Sequence, residues 1–242
     1  MPPILALDKV SKRFGAIVIA EKINLALAPG EALGVIGPNG AGKTTLFGIM
    51  TGTIAPDAGR VYFEGADITR ATPPRRCIMG IARSFQIPQP FGDMTVFENL
   101  VVAAAFGARR RERDAYKPCM DILVQCGLGG AANRRAGSLT LIDRKRLELA
   151  RALATNPRVL LLDEVAGGLT EHECTALVGL IRELRETGLS IIWIEHVVHA
   201  LLAAVDRLVV LHGGAFIAQG DPQTVIRSPA VADIYLGIAA DA

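Results

Sequence analysis

The sequence predicts an α/β fold interrupted by a block of helices, and three observations carry that prediction. Short β-branched and aliphatic runs alternate with helical patterns. A glycine-rich loop, "GPNGAGKTT", stands between one such run and a helix. From about Thr95 to Leu153 the strand signals stop, and Ala- and Arg-rich helical segments take their place. A chain of 242 residues is long enough to bury a substantial core.

In chain order, "EALGVIG" (31–37) reads as a buried strand and "KTTLFGIMTG" as the helix after it. The basic run "ARRRERD" (108–114) reads as a solvated helix face rather than a phosphate or lipid contact. "RVLLLDE" (158–164) is a second buried strand. The segment "EHECTALVGLIRELRETG" follows, with Leu177, Leu180, Ile181 and Leu184 at helical spacing. "LSIIWIE" (189–195), "DRLVVLH" (206–212) and "GAFIAQG" (214–220) supply further strands.

Composition bounds the function. Half of the residues are hydrophobic and 21% are charged, as in a globular protein. A formal net charge of +2 gives no electrostatic reason to expect nucleic acid as a partner. Cys77, Cys119, Cys126 and Cys174 lack metal-ligand spacing and read as free thiols in a reducing cytosol. The N-terminal "MPPILALDKV" has no signal-peptide character. No apolar run approaches the roughly 18 residues of a membrane span. Work at a membrane would therefore be done from one side, held there by another protein.

The loop Gly37–Thr45 (Gly37, Pro38, Asn39, Gly40, Ala41, Gly42, Lys43, Thr44, Thr45) matches the phosphate-binding pattern G-x-x-x-x-G-K-[ST]. Its glycines let the backbone turn N–H groups inward, and the helix beginning near Lys43 adds the positive end of its dipole. Lys43 would reach the β- and γ-phosphates, and the Thr44 hydroxyl would bind Mg²⁺. The strand "VLLLDE" delivers Asp163 to hold Mg²⁺ directly or through water. Glu164 stands one residue on, placed to orient or deprotonate an attacking water. Together these groups point to hydrolysis of a nucleoside triphosphate.

With those motifs in that order, the chain resembles the nucleotide-binding subunit of an ATP-binding cassette (ABC) transporter over essentially its full length. In "RSFQ" (83–86), the resemblance makes Gln86 a Mg²⁺ contact that senses the membrane partner. In "IEH" (194–196), it makes His196 the switch residue on the γ-phosphate. It makes "AGGLT" (166–170), with Gly168, Leu169 and Thr170, the D-loop that crosses a dimer interface. In "KRFG" (12–15), Phe14 becomes the ring on which adenine stacks. Taken singly, Phe14 reads equally as a core aromatic, Gln86 as a loop amide and His196 as a partner for a backbone carbonyl. Their joint order favours the functional roles. "IARSFQIPQPFGDMTVFENLVVAAAFG" and the tail "GDPQTVIRSPAVADIYLG" are similar to cassettes of the branched-chain amino acid uptake type.

The resemblance implies one ABC ATPase domain over 1–242: a P-loop NTPase core with an N-terminal antiparallel β layer (1–90 and 156–242) and a helical subdomain over about 90–155. It implies ATP and Mg²⁺ as cofactors and a second ABC ATPase subunit, identical or different, as partner. It also implies integral-membrane permease subunits and, indirectly, a periplasmic or extracellular solute-binding protein. The place would be peripheral, on the cytoplasmic face of the cell membrane. The alternatives are a nucleotide-gated interaction subunit that barely hydrolyses ATP, against which Glu164 and His196 argue, and cassette ATPases of translation or DNA repair. The latter usually carry two cassettes or a coiled-coil insertion, and this sequence has neither.

One motif departs. The family signature reads approximately L-S-G-G-Q, or L-S-Y-G-Q in this subgroup, and here it is "LTLID". Counting back from Ala150–Leu153 puts Leu139, Thr140, Leu141, Ile142 and Asp143 on its five places. Thr140 keeps the hydroxyl. Ile142 replaces a glycine, and its branched side chain is expected to obstruct the partner's triphosphate and to resist φ > 0. Asp143 brings a negative charge that Arg144 and Lys145 could offset. Loss of one preorganised donor costs about 2.7–4 kcal/mol. This signature is therefore expected to support catalysis poorly on the partner's ATP.

Overall fold

The structure, a computed structural model, describes residues 2–231. Ten strands form two sheets. The first is antiparallel, in the order β2-β1-β4-β5, from β1 (Leu5–Phe14), β2 (Ile17–Leu27), β4 (Ala58–Phe63) and β5 (Ala66–Asp67). The second has the order β10-β9-β3-β8-β7-β6, from β3 (Ala32–Ile36), β6 (Ile81–Ser84), β7 (Val159–Asp163), β8 (Ser190–Ile194), β9 (Arg207–His212) and β10 (Ala215–Gly220). Its strands run parallel except at the β9/β10 edge. The predicted α/β core with an antiparallel layer is the fold observed.

Side-chain alternation with period two sends each central strand into two cores. From β7 and β8, Leu161, Ile192 and Ile194 face the antiparallel sheet, packing with Leu5, Val10, Leu33 and Phe47. Leu160, Leu162 and Trp193 face the opposite way, against the helices. Between the sheets lies α1 (Lys43–Thr51), and α2 (Pro73–Met79) closes its far end. The guanidinium of Arg76, fully buried, donates to Ile49 O (2.6 Å) and Met50 O (2.9 Å). It thus satisfies carbonyls that the end of α1 leaves without intrahelical partners.

The long central segment forms α3 (Val96–Phe106), α4 (Glu112–Gln125) and α5 (Leu141–Ala154). Thr95 and Glu98 make a capping box at the start of α3, satisfying two orphan N–H groups reciprocally. Apolar residues of all three helices share one core with the sheet: Leu100, Leu123 and Leu147 lie in the same cluster as Leu160 and Trp193. The helical block is thereby fused to the strand face beneath it. The basic run departs from expectation. Ala108–Arg111 lies outside any helix, Arg109 has φ +52°, and α4 begins only at Glu112. Beyond β7 come α6 (Glu171–Glu186), α7 (Val198–Ala204) and α8 (Pro222–Ile226). The four cysteines are free thiols, three of them buried.

Candidate functional site

The ends of β3, β6, β7 and β8 bring the predicted groups to one edge of the parallel sheet, the usual ligand crevice of such sheets. A cleft of about 580 Å³ there is lined by Asn39–Thr45, Ile19, Gln86, Glu164 and His196. Two glycines of the loop are required by contact. A Cβ on Gly37 would meet Leu211 O at 2.2 Å, and one on Gly42 would meet Ile19 O at 2.8 Å. Gly42 also has φ +100° and caps α1. The first N–H groups of α1 have no acceptor within their own helix, so they face the cleft as anion donors. Lys43 Nζ donates to Gly37 O (2.7 Å) and Pro38 O (3.0 Å), which leaves one of its three N–H bonds beyond those contacts. Burial holds this ammonium below the usual lysine range, opposed by Glu164 and Asp163.

Asp163 is 2% exposed at the end of β7. Its Oδ2 accepts from Arg83 Nη2 at 2.5 Å, and its Oδ1 is buried without a partner. An orphaned buried carboxylate oxygen is costly. It fits a hard divalent cation, which magnesium-phosphate sites commonly hold with one or two carboxylates. Thr44 lines the same cleft and Gln86 stands across it.

Glu164 turns off the strand at φ +49°, a left-handed conformation that costs a non-glycine residue about 1–2 kcal/mol. The turn sends its carboxylate into the cleft. There Oε2 accepts from Gln86 Nε2 (2.5 Å) and Oε1 meets His196 Nε2 (2.8 Å). Two residues 110 positions apart, Gln86 and His196, therefore converge on the oxygen pair of Glu164. A carboxylate, an amide and an imidazole in contact can hold a water, take its proton and donate to an anion.

Phe14 lies outside this lining. It ends β1 opposite Ile17, half exposed, with the Lys12 ammonium 5.3 Å from its ring centroid. A ring exposed to 50% is no core aromatic, so the bland reading of Phe14 fails. From the same hairpin, Ile19 is the residue that reaches the loop.

The signature segment stands elsewhere, at the start of α5. Leu139 is buried, and Thr140 caps the helix by accepting from Asp143 N (3.2 Å). That leaves the threonine O–H free to donate. The expected obstruction is displaced by one residue. Ile142 sits in the first helical turn, half-buried, and lines a pocket with Val165, Leu169, Leu177 and Leu180. Leu141 is the exposed residue, at 62%. No residue of 139–143 needs φ > 0. Charge compensation differs as well: Asp143 pairs with Arg146 (3.5 Å), whereas Arg144 donates to Leu139 O and Gly137 O. Lys145 reaches across to Gly167 O and ties α5 to the segment 166–170. There Gly168 has φ +76°, Leu169 is half-buried, and Thr170 caps α6 in a box with Glu173.

Sequence reasoning quoted "RSFQ" and "IEH" but passed over one residue in each. Arg83 neutralises Asp163. Glu195, 1% exposed, accepts from Ala166 N (2.5 Å), His196 N (3.2 Å) and Trp193 Nε1 (3.4 Å). Burial raises its carboxyl above the usual range against those donors. The available signal was a charged residue closing a run of apolar strand positions.

The sequence model of the ABC transporter family matches residues 20–167. The chain is 36% identical to the high-affinity branched-chain amino acid transport ATP-binding protein BraF of Pseudomonas aeruginosa, covering 97% of this chain and 98% of that one. It is equally 36% identical to the ATP-binding protein LivG of the same transport class in Escherichia coli, over 97% and 98% of the two chains. Among solved structures it is similar to the ADP conformation of an ATP-binding cassette of an ABC transporter. The TM-score is 0.89 and the identity 33%, with 98% of this chain and 99% of that one covered.

Proposed function

Because the chain belongs to the ABC transporter family as one of its ATP-binding cassettes, we propose that it hydrolyses ATP to drive uptake of a small polar solute through a separate permease. Its relatives point to a solute of the branched-chain amino acid class or a related amide or organic acid. The observation that carries the catalytic reading is the convergence of Gln86 and His196 on the two oxygens of Glu164, beside the phosphate loop.

The loop amides, the start of α1 and Lys43 bind the β- and γ-phosphates. Phe14 offers the face for adenine from the neighbouring hairpin. Asp163 Oδ1, Thr44 and Gln86 are the groups that would hold Mg²⁺, which neutralises charge on the phosphate oxygens when bound. Glu164 orients the attacking water and takes its proton, and His196 donates to the γ-phosphate. Thr140 and the N-terminus of α5, with Gly168–Thr170, face the nucleotide of a second cassette subunit, so two chains complete each site. A groove beside α3 lined by Cys77, Phe85, Phe91, Val102 and Phe106 leaves three aromatic rings largely exposed, and it is the surface for the permease. No described helix is long and apolar enough to cross a membrane. On this reading the permease holds the chain peripherally at the cytoplasmic face, and the solute-binding protein is reached only through that permease.

Glu164→Gln tests the assignment. The variant should bind ATP with unchanged affinity and release phosphate at least about 10²-fold more slowly, the scale of losing a general base. Brisk phosphate release by that variant would remove Glu164 from the role.

A further inference from the structure

We infer that Glu148, with Arg151 beside it, is a positioning residue that locks the loop bearing Gln86 to the helix whose N-terminus faces the partner cassette. The inference rests on the reading of Gln86 as a group of the nucleotide site.

The observations lie two turns into α5. Glu148 is 6% exposed, a rare burial for a carboxylate. Its Oε2 accepts from Arg151 Nη1 at 2.9 Å, and its carboxylate faces the N–H groups of Phe85 and Gln89, which flank Gln86. Arg151 Nη1 also donates to Gln89 O at 2.9 Å, and its guanidinium lies 5.2 Å from the centroid of Phe91. The ion pair therefore holds the loop from 85 to 91 by the Gln89 carbonyl and the Phe91 ring, both through Arg151. Arg151 Nε is buried without a partner, so this pair is not an economical way to stabilise a core. Burial raises the carboxyl above its usual range, and Arg151 and the two N–H groups oppose that shift.

The loop so held has two ends of consequence. Gln86 touches Glu164, while Phe85 and Phe91 stand exposed in the groove assigned to the permease. The helix that holds it carries Thr140 at its start, about 12 Å from Glu148 at 1.5 Å per residue. A push on the groove reaches both the catalytic carboxylate and the partner-facing helix end through this one pair. An apolar residue at 148 would fill the space and leave the loop free to slide on α5.

Steady-state phosphate release and equilibrium ATP binding by the full chain test the inference. Glu148→Ala should lower kcat about tenfold or more, the scale of misplacing a reacting group, with ATP affinity unchanged. Glu148→Gln keeps an acceptor oxygen for Arg151 and should recover most of that loss. If the alanine variant fails to fold around the unpaired Arg151, the double variant Glu148→Gln/Arg151→Met leaves no buried charge and should show the low kcat. Wild-type kcat in Glu148→Ala or in the double variant overturns the inference. So does a glutamine variant no better than alanine, or a loss of ATP affinity matching the loss of kcat. A wild-type chain that hydrolyses no ATP takes down the cassette ATPase reading itself. Turnover unaffected by these changes sinks the lock alone.

Discussion

Glu195 shows how much chemistry one buried carboxylate can organise. Among the described residues no cation pairs with it; it is solvated by N–H groups of Ala166, His196 and Trp193 instead. Its folded pKa is raised above the ordinary 4.5. Between 4.5 and the raised value the folded chain holds a proton that the unfolded chain has lost, so stability falls as pH rises through that window. Urea denaturation of wild type and Glu195→Gln at pH 4.5 and at neutral pH should show wild type losing ground to the variant as pH rises. A pH-independent difference would exclude a raised Glu195. At this scale the phosphate loop, Asp163 and Glu164 were readable from residue type and spacing, and Gln86 and His196 only through the family resemblance; the structure brings Gln86, Glu164 and His196 together beside the loop. Arg83, Glu195 and Glu148 were not readable. Arg83 meets Asp163 80 positions on, Glu195 meets Ala166 29 positions back, and Glu148 acts through Arg151 on Gln89, 62 positions from that arginine, so only the fold brings these groups together.

At the scale of elements, the buried strands of the parallel sheet were plain in the sequence, since both faces are covered and each reads as a continuous apolar run. The individual strands of the antiparallel layer were hidden. In β1 the pairing register shifts between Leu7 and Val10, and Lys9 adopts φ +49°, so the buried positions Leu5, Leu7 and Val10 break the period of two. The start of α5 makes the opposite point. Its register was legible, but which side chain points outward was not, because helix phase places Leu141 outside and Ile142 inside. Ile142→Gly should therefore lower stability by about 2 kcal/mol, from lost packing and glycine's helix penalty, and leave turnover on the partner's ATP no faster. Leu141→Gly should cost about 1 kcal/mol or less and raise that turnover. Thermal unfolding and phosphate release by the assembled pair check both; a faster Ile142→Gly pair would restore Ile142 as the obstruction.

For the whole molecule, the two functional surfaces have unequal endowments. The cleft gathers the phosphate loop, Gln86, Glu164 and His196, while the surface proposed to face a partner has Leu141 and Ile142 where the family signature has two glycines or a tyrosine and a glycine. A pair with a cassette of glycine-containing signature should then hydrolyse ATP chiefly at the cleft of this chain. The isolated chain, paired with itself, should turn over about 10²-fold more slowly, as expected when one preorganised donor is poorly presented. Equal rates for the homodimer and the mixed pair would refute that asymmetry.

Trp193 is the chain's sole tryptophan, fully buried in β8, with its indole N–H directed at Glu195. The strand end it occupies joins the segment 166–170, through Ala166, to His196. Its emission is sensitive to the charge and distance of that carboxylate, so the protein carries a built-in optical reporter where these two segments meet. Rapid mixing with nucleotide can time their rearrangement without any label, against phosphate release recorded in parallel.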